Sequence, residues 1–275
     1  MKSTRPKDQS VGELFEEIVG LVARLRSQNG CPWDREQTHE SIKRCAVEET
    51  YEVVQAIESG NMKKLCEELG DLLLQVVFHA QMASEENHFS ILEVLDGLRR
   101  KLISRHPHVF GDARAETSEQ VLAQWHAIKL EERSHSECPS ETLMADLPLA
   151  MPALMLAEEV QKRASTVGFD WDNAKEAFSK VREEVEEFST ALNSGDEMRR
   201  DRLKAELGDL LFSIVNVARL LKLDAEDALR GTVLKFIRRF NEIERRAKEL
   251  GVDLSQMSLR EMDAIWDEVK STERE

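Results

Sequence analysis

The chain says nearly the same thing twice. GDLLLQVVFHAQ at residues 70–81 returns as GDLLFSIVNVAR at 208–219, and VEETYEVVQAIESG at 47–60 returns as REEVEEFSTALNSG at 182–195. Trp33-Asp34 recurs as Trp171-Asp172, Lys101 and Arg105 as Lys235 and Arg239, and Trp125 and Lys129 as Trp266 and Lys270. Blocks recurring in one order mark a tandem duplication, so a fold that suits one half must suit the other. The 275 residues then divide into two domains of ordinary size.

The repeated unit reads as helical. Chain breakers are sparse, with 12 Gly and 6 Pro, and a single Tyr speaks against sheet. Ser10 and Glu13 have the spacing of a capping box, and Leu14, Ile18, Leu21, Val22 and Leu25 follow at helical intervals until Asn29-Gly30. CPWD at 31–34 reads as a loop. Further helices are expected over about 39–58, 62–83, 90–104 and 118–133, with Leu65, Leu69, Leu72, Leu73 and Val76 on one face of the 62–83 helix. His106-Pro107-His108 breaks the chain after the fourth helix. Residues 134–152 hold three of the six prolines and read as a linker. The expected organisation is therefore a helical domain over 1–133, a linker over 134–152 and a second helical domain over 153–275, all-α with no run of strands.

Charge and apolar content exclude several roles. The net charge of −15 disfavours a long nucleic-acid partner, which needs a basic surface. No apolar stretch approaches the roughly 18 residues of a membrane span, the longest being of the kind LLLQVVF at 72–78. MKSTRPKDQS lacks the apolar core of a secretory signal, and Cys31, Cys45, Cys66 and Cys138 form no C-x-x-C pair. A cytoplasmic protein with reduced cysteines is expected.

Acidic residues are the second repeated feature. Glu48, Glu49 and Glu52 precede Glu68 and Asp71 in the first copy, as Glu183, Glu184 and Glu187 precede Glu206 and Asp209 in the second. Residues three or four apart share a helix face, and a short turn makes consecutive helices antiparallel neighbours. Four carboxylates are thereby expected to converge beside the apolar GDLL segment, where they repel one another unless a cation intervenes. Oxygen-only ligands suit Mg²⁺, or Mn²⁺, rather than zinc. A di-iron centre would add Glu-x-x-His pairs, and Glu36/His39, Glu85/His88 and Glu132/His135 have that spacing. All seven histidines lie at or before residue 135, however, so the second copy cannot use them. They read as loop or surface residues.

E-E-x-x-E followed by E-x-x-D, here EETYE with EELGD and EEVEE with AELGD, resembles the motif of the MazG family. With CPWD near the start, nearly the whole chain is similar to its two-domain bacterial members. The resemblance implies all-α domains that dimerise into four-helix-bundle-like assemblies. It also implies Mg²⁺-dependent hydrolysis of nucleoside triphosphates to a monophosphate and pyrophosphate, with broad base range and a role in cleansing or regulating the nucleotide pool. It implies metal ligands at Glu184, Glu187, Glu206 and Asp209, with Glu183 orienting or deprotonating the attacking water. Lys235 and Arg239, four apart, match the family's triphosphate-binding pair, and Trp266 matches an aromatic near the nucleotide. The expected substrate contacts are thus Lys180, Arg202, Lys204, Lys235, Arg239, Trp266 and Lys270. A core or dimer-interface place for Trp266 is the alternative.

The first copy offers a possible second metal site at Glu49, Glu52, Glu68 and Asp71. Its basic shell differs, since Cys45 stands where the second copy has Lys180, and Lys64 where it has Arg202. The second copy is therefore the favoured catalytic half. The competing function is a helical dimer that binds nucleotides for regulation without hydrolysing them.

Overall fold

The computed structural model describes residues 9–121, 124, 125, 128, 142–145, 147–193 and 199–272, and no strand occurs among them. Two compact units divide the chain, Met1–Glu132 and Arg133–Glu275. Among the described residues, no helix is long and apolar enough to cross a membrane.

In the first unit α1 spans Val11–Arg26, and the expected capping box is formed: the Ser10 hydroxyl accepts from the Glu13 backbone N–H while Glu13 accepts from that of Ser10. Gly30 closes the following turn, where a Cβ would lie 2.1 Å from the Leu25 carbonyl oxygen, so only glycine fits. CPWD is not a plain loop. Pro32 opens a short helix, α2 (Pro32–Glu36), because proline's fixed φ and missing N–H suit a first helical position. Helices α3 (His39–Glu58) and α4 (Met62–Glu85) pack as neighbours across the Ser59-Gly60-Asn61 turn. Then come α5 (Ile91–Arg105) and, restarted by Pro107, the four-residue α6 (Pro107–Phe110). The core joins Val22 of α1, Ile42 of α3, and Val77, Phe78 and Met82 of α4.

The 62–83 stripe of the sequence is not this core. Leu69, Leu73 and Val76 remain exposed. Apolar residues occupy most of the circumference of α4, and α1 and α3 cover only the side carrying Val77, Phe78 and Met82. Of the expected 118–133 helix, residues 118–121, 124, 125 and 128 are described and are helical; of the 134–152 linker, residues 142–145 and 147–152 are described and hold turns and bends but no helix.

The second unit holds α7 (Ala153–Ser165), α8 (Ala174–Asn193), α9 (Arg199–Leu220), α10 (Ala225–Leu250), a 3₁₀ turn (Leu254–Gln256) and α11 (Leu259–Thr272). Helix α7 ends at Ser165, and the turn after it passes through Gly168, whose φ of 82° is left-handed, with Phe169 N–H returning to the Ala164 carbonyl. Helices α8 and α9 pack closely, α7 lies on α9, and α11 lies on α10. The Ser-Gly turn expected between α8 and α9 lies outside the described residues. Leu207, Leu211 and Ile214 of α9 stay exposed, as their counterparts on α4 do.

Candidate active site

Helix spacing places Lys180, Glu183, Glu184 and Glu187 on α8, facing Glu206 on α9. One carboxylate oxygen each from Glu184, Glu187 and Glu206 lies within 4.8 Å of the others. Glu184 is only 4% exposed, and Lys180 Nζ bridges it to Glu183 at 2.8 Å on each side. The two carboxylates hold the Lys180 ammonium well above its usual range, first through the bond to Glu183 and then through that to Glu184. Glu187 is raised, first by burial and then by the Glu184 charge, with Glu206 and Glu183 adding to it. Asp209, one turn after Glu206 and exposed, lies outside this trio, so three of the four expected ligands are drawn together.

The first copy repeats the cluster with other members. Glu49, Glu68 and Asp71 converge within 4.8 Å, and Glu52 falls outside the trio. Glu68 is fully buried and ion-paired to Lys64, which outweighs burial and lowers its pKa. Glu52 is raised, first by its contact with Glu68. Glu49 is raised by burial and then by Asp71, Glu52 and Glu68.

Both clusters fit a hard divalent cation. Oε2 of Glu184 and both carboxylate oxygens of Glu68 are buried without a hydrogen bond of good geometry. Uncompensated buried carboxylate oxygens are costly, and crowding several of them is costlier. An all-oxygen donor set without His or Cys matches Mg²⁺ or Mn²⁺.

The other expected contacts are spread over three helices. Arg202 and Lys204 are exposed on α9, one turn or less before Glu206. Lys235 is exposed on α10, and Lys270 is half-buried on α11. The Arg239 guanidinium lies 5.2 Å over the Trp266 ring, which also meets Phe236 at 5.2 Å. The first copy makes the same pair, with Arg105 6.0 Å over Trp125. Phe236 was not singled out in the sequence, although KFIRRF places it beside Lys235. Two of the histidines meet at the surface, Nδ1 of His39 on α3 lying 2.7 Å from Nδ1 of His79 on α4.

Comparison with known proteins agrees with this duplicated geometry. The family model described as "MazG nucleotide pyrophosphohydrolase domain" matches residues 37–110 and again 173–243. The chain is 41% identical over 262 residues to a Thermotoga maritima protein named nucleoside triphosphate pyrophosphohydrolase/pyrophosphatase MazG, covering 95% of this chain and 98% of that one. It is 43% identical over 260 residues to the Escherichia coli K12 nucleoside triphosphate pyrophosphohydrolase, covering 94% and 98%. Two family matches, each holding one acidic cluster between neighbouring helices, establish that the chain belongs to the MazG family and carries its domain twice.

Proposed function

We propose that this chain hydrolyses nucleoside triphosphates, ribo and deoxy, to the monophosphate and pyrophosphate. The observation that carries the reading is the crowded carboxylate trio of α8 and α9, anchored on the buried Glu184, set in a chain whose near full-length relatives bear that activity in their names. Water attacks the α-phosphorus, the bond to the α–β bridging oxygen breaks, and pyrophosphate leaves with that oxygen. Glu184, Glu187, Glu206 and Asp209 hold Mg²⁺, which supplies charge neutralisation on the phosphate oxygens. Glu183 takes the proton of the attacking water, and its 2.8 Å bond to Lys180 fixes its position. Lys180, Arg202, Lys204, Lys235, Arg239 and Lys270 offset the charge of the triphosphate and of the leaving pyrophosphate. Trp266 packs beside Arg239 and steadies that guanidinium. Glu49, Glu52, Glu68 and Asp71 form a second, weaker metal site. Pool cleansing or pool regulation is the role that follows.

The working form is a homodimer. Leu207, Leu211 and Ile214 on α9, and Phe236 and Ile237 on α10, are exposed apolar residues in number unusual for a lone soluble unit. Covering them with a second copy gives the bundle-like assembly.

The test is product analysis with ATP or dCTP, with Mg²⁺ and with EDTA. Monophosphate plus pyrophosphate, abolished by EDTA, is expected. Orthophosphate and a diphosphate as the products would refute the assignment. Sedimentation at micromolar concentration should give a species of at least two chains.

A further inference from the structure

His39 and His79 belong to neither acidic cluster, yet they join α3 to α4. Nδ1 of one ring lies 2.7 Å from Nδ1 of the other. The ring planes differ by 8°, and the centroids are 5.0 Å apart. The centroids are thus farther apart than the nitrogens by about one ring diameter. Both nitrogens therefore lie on the line between the rings, and their in-plane lone-pair directions face each other. That is the geometry of a shared proton, with Nδ1–H of one ring donating to the bare Nδ1 of the other.

The proton count of such a pair is limited. With both rings neutral, one proton lies between the two Nδ1 atoms and the accepting ring keeps its own on Nε2. A further proton goes to the bare Nε2 of the donating ring and leaves the contact intact, as imidazolium to imidazole. The next can go only to the accepting Nδ1. Two N–H groups and two positive charges then face each other, and the contact breaks.

The surroundings leave this titration to the pair. His39 is the first residue of α3 and is exposed, while His79 is half-buried on α4 between the buried Phe78 and Ala80. Burial first, and the His39 charge second, hold His79 below the ordinary 6.5. The charged groups on the surrounding helices are engaged with one another. Glu40 pairs with Lys43 on α3, Arg26 of α1 with Glu85 of α4, and Asp96 of α5 with Arg99 and Arg100. Glu36 of α2, three residues before His39, is exposed.

The second copy has no counterpart. In the register that aligns Trp33 with Trp171 and Asp71 with Asp209, His79 falls opposite Val217 and His39 opposite Ala177. In the register of Glu49 with Glu184, His39 falls opposite Ala174 instead, so an alanine stands there either way. Val217 and Ala174 line an open pocket of about 540 Å³.

We propose that His39 and His79 form a proton-sharing latch that fastens the start of α3 to α4 at neutral pH and opens when both rings are protonated. The device belongs to the first copy alone. Helix α3 carries Glu49, and α4 carries Glu68 and Asp71, so opening loosens one end of the helix pair that holds the first acidic cluster. A base lowered in the folded state adds stability that is complete above its unfolded value and is lost as pH falls through its folded value. The latch is therefore closed above about pH 6.5 and opens below it.

Ring spectra correlating ¹H with ¹⁵N in the histidine-labelled full chain, from pH 8 to pH 5, test this. His39→Ala and His79→Leu assign the two rings, and melting curves are the folding control. Free neutral histidine keeps its proton mostly on Nε2, so one ring of the pair should stand out at pH 8 by carrying it on Nδ1. His79 should titrate below 6.5, and His39→Ala should move its midpoint upward by removing the neighbouring charge while burial stays. The Ile42 amide bonds the Thr38 carbonyl in the first turn of α3. Its opening, corrected for the intrinsic pH dependence of exchange, should rise several-fold from pH 7.5 to pH 5.5 in the unmodified chain and stay level in His39→Ala. Nε2–H forms at both positions at pH 8, a His79 midpoint unmoved by His39→Ala, or Ile42 opening that follows pH alike in both chains would each overturn the latch. The tautomer is read in the unmodified chain, so it decides the matter even where a variant fails to fold.

Discussion

The two copies solve one electrostatic problem from opposite helices. Each buries one glutamate of its cluster and gives it a lysine four residues earlier on the same helix. In the first copy the pair is Lys64 and Glu68 on α4, the second helix of the acidic pair. In the second copy it is Lys180 and Glu184 on α8, the first helix. Lys before Glu is the less favourable order for an isolated helix, so helix propensity does not account for the pairs. The buried acid does. The transposition has a chemical consequence. The second copy keeps a basic residue at both positions, Lys180 and Arg202, whereas the first has Cys45 and Lys64. Only the second copy therefore places a basic residue four before a member of its trio on both helices.

The largest expected difference between the copies is in packing. Phe78 and Asn216 occupy matching positions, one in a core and one on a pocket wall. Phe78→Asn removes an aromatic from the first core and leaves an amide among Val22, Ile42 and Met82. It should cost about 3–5 kcal/mol in chemical unfolding. Asn216→Phe enters open space and loses its bonds to Arg219, so about 1 kcal/mol is expected. Equal costs would mean that the two positions are not environmental opposites.

Turnover comes next. Glu184→Ala or Asp209→Ala should lower kcat roughly 10²-fold or more, the scale of losing one preorganised electrostatic group. Glu49→Ala and Asp71→Ala should cost less. Loss in the first-copy variants with retention in the second would move catalysis to the other half. Equal loss in all four would mean that the copies act as a unit. A gain should be available as well. Cys45→Lys gives the first cluster the cation that it lacks, and in the Glu184→Ala background it should raise residual turnover a few-fold, bounded by about tenfold for one charge-assisted contact. No gain would show that the first cluster holds no productive triphosphate.

Most of this was legible because the sequence is its own comparison. The helices of the acidic pairs, the capping box at Ser10 and the pairing of Glu184, Glu187 and Glu206 follow from spacing alone. What spacing cannot give is which face of an all-round apolar helix is covered. Hence the stripe through Leu69, Leu73 and Val76 read as equal to the true core face. Nor can it distinguish members within a cluster. Asp209 and Glu52 satisfy the same periodicity as their neighbours, yet they sit outside the trios because the approach of the paired helix decides who meets. The pocket lined by Gln161, Phe212 and Asn216 is hidden from the sequence for a different reason. Setting VVFHAQ against IVNVAR exposes the exchange of Phe78 for Asn216, but Gln161 carries no motif and gains meaning only when Phe212 orients it.

The smallest expected effect comes from the second transposition, that of the arginine latches. In the first copy Arg26 of α1 donates to Glu85 at the end of α4, with Nη2 to Oε2 at 2.9 Å, and also holds the carbonyl of Gln37 at 3.1 Å. In the second the arginine is on α9 and the acid is in the turn, as Arg219 and Asp170. Burial pushes Glu85 upward, but bonds from Arg26 and Gln81 outweigh it and leave it below its ordinary 4.5. Asp170 is held below its ordinary 3.8, first by Arg219. A carboxyl lowered in the folded state adds stability that is complete above its unfolded value and disappears as pH falls through its folded value. The contribution of Glu85 therefore begins to fade near pH 4.5 and that of Asp170 only near pH 3.8. Both acids are partly exposed, so each contributes about 1 kcal/mol or less. Melting curves from pH 6 to pH 3 should show Glu85→Gln flattening the upper part of the acid limb and Asp170→Asn the lower part. If the two substitutions flatten the same part, the latches do not differ in the way their acids require. If neither does, the arginines hold their turns through the backbone carbonyls and Asn216 rather than through the carboxylates.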